Sequence, residues 1–167
     1  MFTVTKLSKK IARAFQWDEA AADLIHRRLR YLITNAIIPT TVDEDDERGT
    51  KLIGLEASYV AIVLLSPAAM FVDTRGLRKL ASKLLALHED SGKSGIQVCI
   101  EAARNKRPAF LKMRLRSGDF EPVVWLETEK KANPILEAYA LSLPETLAEL
   151  IVPVTEHLRP FLSSDTE

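Results

Sequence analysis

The stretch DEAAADLIHRRLRYLITNAIIPTTVDEDDERGTKLIG, residues 18–54, decides the fold of the N-terminal part of the chain. Asp18 is a good helix N-cap, and Glu19 follows it in the first turn. Apolar residues then recur at helical spacing at Ala21, Leu24, Ile25, Leu29 and Leu32. Pro39 disfavours helical backbone in the residue before it, so we expect the helix to end near residues 37–38.

The second half of this stretch predicts a β-hairpin. Residues 40–42 and 50–53 are the extended pieces, and Gly49 ends the polar tip formed by residues 43–49. Before the stretch, residues 2–4 predict a short extended segment and Thr5 is a candidate helix cap. The first helix then carries Leu7, Ile11, Ala14 and Phe15. Residues 55–70 predict an apolar helix, buried or at an interface.

The order of these elements is typical of a winged helix-turn-helix, in which the second helix enters the DNA major groove. Asp73 or Thr74 is expected to cap a further helix, whose apolar stripe is Leu77, Leu80, Ala81, Leu84 and Leu87. Residues 91–95, SGKSG, form the clearest linker. We therefore predict a DNA-binding domain at residues 1–90, with trailing helices, and an α+β domain at residues 95–167.

The C-terminal part mixes helix and strand. Residues 96–107 predict a helix that Pro108 stops, and residues 109–116 alternate as a half-buried strand. A turn at residues 117–119 leads to a partner strand at residues 123–126. A third strand is expected around Tyr139, Leu141 and Leu143, followed by a capping box at residues 142–145. The last helix is predicted from Pro144 to Leu162, with a kink at Pro153, and carries Leu147, Leu150, Ile151, Val154, Leu158 and Phe161.

The predicted fold class is thus α+β: an N-terminal winged helix-turn-helix, then helices and a small antiparallel sheet with a C-terminal helix. The 167 residues contain 23 Lys and Arg against 23 Asp and Glu, which excludes a histone-like protein bound by bulk charge. The charges are nevertheless segregated. Residues 1–41 contain seven basic and three acidic residues, and residues 75–116 contain eleven basic and three acidic residues.

Other sequence features limit the classes of protein to which the chain can belong. The single Cys99 excludes an intramolecular disulfide and a cysteine-based zinc site, and favours a reduced, cytoplasmic setting. The longest uncharged run, residues 57–72, is shorter than a membrane span. We therefore expect no membrane association.

Basic side chains supply the candidate DNA-binding site. Arg27, Arg28 and Arg30 lie along the second helix, where guanidinium groups bind phosphates or guanine edges. The remaining basic candidates come from the first helix and the hairpin: Lys9, Lys10, Arg13, Arg48 and Lys51. A solvated basic face is the alternative explanation of the same residues.

Residues 2–65 resemble the DNA-binding part of MerR-type winged-helix regulators. The similarity lies in the opening FTVTKL at residues 2–7, in RLRY followed by IIP at residues 28–39, and in RGTK before LI at residues 48–53. The resemblance implies that Arg30 and Tyr31 contact the DNA backbone and that Arg48 serves the wing.

No catalytic pattern appears, so we expect neither an enzyme nor a metal or cofactor site. His26, His88 and His157 are scattered without metal-ligand or triad spacing, and Cys99 lies in an apolar helix. The acidic residues 43–47 lack the spacing of a calcium loop and are expected to be a solvated turn. The basic face of Lys112, Arg114 and Arg116 is either a second phosphate track, a site for an acidic partner or a plain exposed sheet face.

These observations predict a sequence-specific protein that binds double-stranded DNA as a homodimer and regulates transcription. The dimerisation candidates are residues 57–72 and 144–162, for both of which an intrachain core is the alternative. Residues 95–167 are also a candidate site for a protein partner. The competing hypothesis is an interaction adaptor that uses the winged-helix scaffold without DNA.

Overall fold

A computed structural model describes residues 1–43, 46, 49–70, 72–87, 91–116, 123–128 and 146–163. The helices in these residues are α1 (Val4–Ala14), α2 (Glu19–Thr34), α3 (Leu55–Ala69), α4 (Thr74–Leu85), α5 (Gly95–Arg104) and α6 (Val154–Ser163). The strands are β1 (Thr41–Val42), β2 (Lys51–Leu52), β3 (Phe110–Arg116), β4 (Val123–Glu127) and β5 (Thr146–Pro153). The predicted α+β class, with a small antiparallel sheet and a C-terminal helix, is confirmed.

Side-chain caps fix where the first two helices begin. The Thr3 hydroxyl, rather than that of the predicted Thr5, accepts the Lys6 N–H at 3.2 Å and caps α1. The predicted cap of α2 is confirmed, since the Asp18 carboxylate accepts the Ala21 N–H at 2.9 Å. Leu24, which we placed on the apolar stripe of α2, is 41% exposed.

The end of α2 is set by the backbone itself and precedes the predicted one. The helix stops at Thr34, because Ala36 adopts a left-handed conformation with φ of 50°. The Ala36 and Ile37 N–H groups then donate to the carbonyls of Ile33 and Leu32, at 3.0 and 2.8 Å. This turn leads the chain into a buried segment at residues 37–38 before Pro39.

The predicted hairpin is confirmed, with Thr41 opposite Leu52 and Val42 opposite Lys51. The turn between β1 and β2 ends at Gly49, whose φ of 60° requires a residue that tolerates positive φ. Among the other predicted tip residues only positions 43 and 46 are described, so Arg48 and the rest of the acidic tip lie outside the described residues. Phe2 pairs with Ile53 through two backbone hydrogen bonds of 2.9 and 2.8 Å, which ties the chain start to the hairpin.

Helix α3 lies in the interior of the molecule. Ten of its 15 residues are buried, and Pro67 is tolerated in its last turn. The surface of the dimerisation candidate at residues 57–72 is therefore largely covered within the chain. Asp73 caps α4 as predicted, by accepting the Gly76 N–H at 2.7 Å. Leu87 lies beyond the end of α4 and is 73% exposed, so its place in the buried stripe was wrong.

The three-stranded sheet corrects the prediction for the C-terminus. The order is β4-β3-β5, and Leu111 on the central strand lies opposite Leu126 and Val152. Residues 146–153, predicted as the first half of a helix, form β5, and the helix α6 begins only at Val154. Leu150 and Val152 face the core while Ile151 is 50% exposed, an alternation of period two. Pro153 carries no N–H for a helix interior and marks the junction instead of a kink. The predicted third strand and capping box at residues 139–145 lie outside the described residues.

The buried apolar side chains form one cluster that extends from Leu7 to Phe161. The predicted linker is packed against α4, because the Gly95 N–H donates to the Ala86 carbonyl at 3.0 Å. Ser94 caps α5, forms a capping box with Gln97 and donates its hydroxyl to Glu56. The division of the chain into two domains at this segment stays a prediction. No helix in the described residues is long and apolar enough to cross a membrane.

Candidate nucleic-acid interface

A concavity of about 320 Å³ lies where α1, α2 and the hairpin meet, and we call it the cationic concavity. Its charged side chains are Arg30 from α2 and Lys51 from β2. Its described lining is completed by neutral residues: Thr3, Val4, Thr5, Ile33, Thr34 and Thr50. No carboxylate is among these described lining residues, and one acidic group in the described residues bonds to one of them: the Asp46 carboxylate accepts the Thr50 hydroxyl.

The fold brings these parts together through long-range contacts. The backbone pair between Phe2 and Ile53 holds the end of β2 beside the start of α1. The first turn of α1 therefore borders the concavity, and a helix N-terminus carries partial positive charge. The hydroxyl of Thr50 donates to the Asp46 carboxylate, which fixes the strand just before Lys51.

One stripe of α2 points to solvent along its whole length, and we call it the exposed stripe. Its members are spaced alternately by three and four residues: Ala20, Asp23, Arg27, Arg30 and Thr34. The side chains of Asp23, Arg27 and Arg30 form no hydrogen bond or ion pair in the described part of the chain. Arg28 lies off this stripe and is partly buried.

A second concavity of about 420 Å³ separates α1 from α2. It contains the predicted Lys9 and Arg13, together with His26. It also contains the carboxylates of Asp18, Glu19 and Asp23, so its charge is mixed. Thr5 lines both concavities, so they adjoin.

Two of the predicted DNA contacts are engaged within the protein. The Lys10 ammonium lies over the rings of Phe2 and Phe161, at 5.2 and 4.8 Å from their centroids. The Tyr31 hydroxyl shares a hydrogen bond of 2.7 Å with the Thr74 hydroxyl, and the side chain is 40% exposed. Lys10 thus links α1 to α6, and Tyr31 links α2 to α4.

Arg78 is a supporting residue that sequence reasoning missed. Its guanidinium donates to the Asn35 carbonyl from Nη2 at 2.8 Å and from Nε at 3.3 Å. This contact satisfies a carbonyl at the end of α2. The two residues are 43 positions apart, so no local pattern could have revealed the pair.

Two basic side chains on the three-stranded sheet contact residues of β4. Lys112 forms an ion pair of 2.6 Å with Glu127 on β4. The Arg114 guanidinium lies 5.4 Å from the ring centroid of Trp125. The side chain of Arg116 lies outside the described residues. Lys112 is therefore engaged by a carboxylate and Arg114 by an aromatic ring, so an engaged sheet face describes these two residues better than a phosphate track.

Two titratable side chains in the described residues have pKa values shifted by burial. Burial raises the pKa of the Cys99 thiol to about 12, so the group is protonated at neutral pH. Burial lowers the pKa of His157 below its ordinary value of 6.5, and the neighbouring Glu156 carboxylate partly opposes that shift. The described residues contain no group of three or more His, Cys, Asp or Glu side chains that could hold a metal ion.

Comparison with known proteins gives no family for the chain. No protein-family model matches it, and a search of curated proteins finds no significant match.

Proposed function

We propose that this protein binds double-stranded DNA through a winged helix-turn-helix and regulates transcription as a homodimer. In this proposal α2 is the recognition helix, and the hairpin formed by β1 and β2 is the wing. The observation that carries it is the pairing of Arg30 and Lys51, from two different elements, in one concavity whose described lining holds no carboxylate.

The charge and geometry of this site suit a phosphodiester backbone. Phosphate contacts require cations that are not already neutralised by the protein. Arg30 is such a cation, and Lys51 likewise forms no hydrogen bond or ion pair in the described residues. The start of α1 adds partial positive charge beside them. Lys9 and Arg13 would extend the contact along the adjoining concavity, where the acidic neighbours weaken their contribution.

The order of elements supports the likeness to MerR-type regulators. The chain start at Phe2 pairs with Ile53 at the end of the hairpin, which gives the proposed wing a third extended partner. In this proposal Arg48 contacts DNA from the wing tip. Tyr31 positions α2 through its hydrogen bond to Thr74, and the exposed part of its ring contacts the DNA backbone.

Homodimerisation would let two copies of α2 occupy two half-sites and would double the phosphate contacts. Because α3 is largely buried within the chain, the proposed dimer contact falls to the other candidate segment, residues 144–162. Residues 95–167 remain the proposed site for a protein partner.

The test is fluorescence anisotropy with a labelled random-sequence duplex, titrated at several salt concentrations. We expect binding at low salt, with an affinity that falls steeply as salt rises. The variant Arg30→Ala/Lys51→Ala should bind more weakly and should lower the log–log salt slope by about 2 per site.

The matched control is Arg104→Ala/Lys106→Gly, which removes the same charge from the exposed end of α5. Glycine is used at position 106 because Lys106 has a φ of 57°. The control should keep the wild-type slope. Equal losses in both variants would mean that bulk charge, rather than the cationic concavity, drives the binding. No binding by the wild-type protein at low salt would overturn the proposal and favour the adaptor hypothesis, which a pull-down would then examine.

A further inference from the structure

The exposed stripe of α2 changes its chemistry along its length. Its C-terminal end carries Arg30 beside Lys51, its middle carries Arg27, and its N-terminal half carries Asp23 and Ala20. At a helical rise of about 1.5 Å per residue, Asp23 lies about 10 Å along the axis from Arg30. A phosphate bound at the cationic concavity is therefore outside the reach of the Asp23 carboxylate.

The Asp23 carboxylate is available to a ligand. Asp23 and Arg27 have the i, i+4 spacing that favours an ion pair on a helix. Neither side chain forms an ion pair or hydrogen bond with another described residue. The same holds for Lys9 and Arg13, which share the second concavity with Asp23. Asp23 is exposed, so its charge is not needed to satisfy a buried group.

A carboxylate can meet few groups favourably in a DNA major groove. Phosphates repel it, and guanine and thymine present acceptor atoms in the groove. Adenine presents its N6 amino donor next to the N7 acceptor, whereas cytosine presents the N4 amino donor alone. The N-terminal part of a recognition helix is also the part that contacts base edges.

We infer that Asp23 is a specificity-determining residue, which accepts a hydrogen bond from the N4 amino group of a cytosine in the bound site. This inference rests on the proposed function, because it requires α2 to lie in the major groove. The cations at Arg30 and Lys51 then supply affinity that is independent of sequence, and Asp23 supplies discrimination.

The test is selection of bound duplexes from a random library by the full chain and by two variants, Asp23→Asn and Asp23→Ala. The wild-type pool should contain cytosine at one position, and replacing that base should weaken binding about tenfold or more. Asp23→Asn should change that one preference to adenine, since an amide matches the N6 and N7 pair. Asp23→Ala should remove the preference there and leave the other positions unchanged.

The control is Glu101→Gln, which removes an exposed carboxylate from α5 and should select the wild-type site. Equal thermal midpoints would show that the variants fold. The same preferred bases in the wild-type and both Asp23 pools would overturn the inference. Binding by the wild-type chain without enrichment of any sequence would also overturn it while leaving duplex binding intact. Absence of binding at low salt would overturn the proposed function together with the inference.

Discussion

At the scale of single residues, three helix ends depend on non-glycine residues in a left-handed conformation. Gln16, Ala36 and Lys106 have φ values of 55°, 50° and 57°, and each follows the C-cap of its helix. In each case two backbone N–H groups bond back to carbonyls of the last turn. Residues with a Cβ adopt this conformation at a cost of about 1–2 kcal/mol.

Ala36→Gly should therefore stabilise the protein by about 0.5–1 kcal/mol, after allowing for the greater freedom of glycine in the unfolded chain. Urea unfolding should show a higher midpoint with an unchanged slope. The matched control is Ala86→Gly, because Ala86 has an ordinary φ of −63°. That variant should be destabilised, and a similar loss in both variants would contradict the account of the α2 terminus.

His157 makes stability depend on pH. Its Nε2 atom is buried without a hydrogen-bond partner in the described residues, and burial lowers its pKa. The unfolded chain therefore takes up a proton at a higher pH than the folded chain does. Stability from this group is fully present above pH 6.5 and is lost as the pH falls below 6.5 towards the folded pKa.

The variant His157→Gln should lose less stability than the wild type between pH 7.5 and pH 5.5, as measured by urea unfolding at both values. If His157→Gln lost as much stability as the wild type over this range, the assignment to the buried imidazole would be wrong.

At the scale of elements, local signals predicted those structures that local interactions create. The Asp18 and Asp73 caps, the hairpin and the strand β3 all follow from residues close together in sequence. The strand at residues 146–153 was not predicted from such local signals, because its apolar residues also fit a helical period. Its pairing with β3 involves residues at least 30 positions away. Arg30 and Lys51 were each predicted as candidate site residues. The concavity they share was not predicted, because it forms between separate elements.

The junction of α4 and α5 should be sensitive to a single methyl group. A Cβ at Gly95 would lie 2.7 Å from the Lys83 carbonyl oxygen and 3.1 Å from that of Leu84, both backbone atoms. Gly95→Ala should therefore destabilise the protein by about 1–3 kcal/mol. Gly54→Ala is the control, since nothing lies within 4 Å of its added Cβ and its φ is −65°. Equal unfolding midpoints for the two variants would contradict the close packing at Gly95.

At the scale of the whole molecule, a net charge of zero coexists with separated charges. The basic side chains have different local environments. Lys112 is paired with Glu127, and the Lys10 ammonium lies over aromatic rings, whereas Arg27, Arg30 and Lys51 form no hydrogen bond or ion pair in the described part of the chain. Net charge alone therefore says little about the partner, and the distribution of unpaired cations says more.

The most direct test of DNA binding is the salt dependence of the affinity for a random-sequence duplex. We expect a steep decline for the wild-type protein and a slope lower by about 2 per site for Arg30→Ala/Lys51→Ala. The control Arg104→Ala/Lys106→Gly should keep the wild-type slope. No binding at low salt, or the same slope in all three proteins, would contradict this expectation.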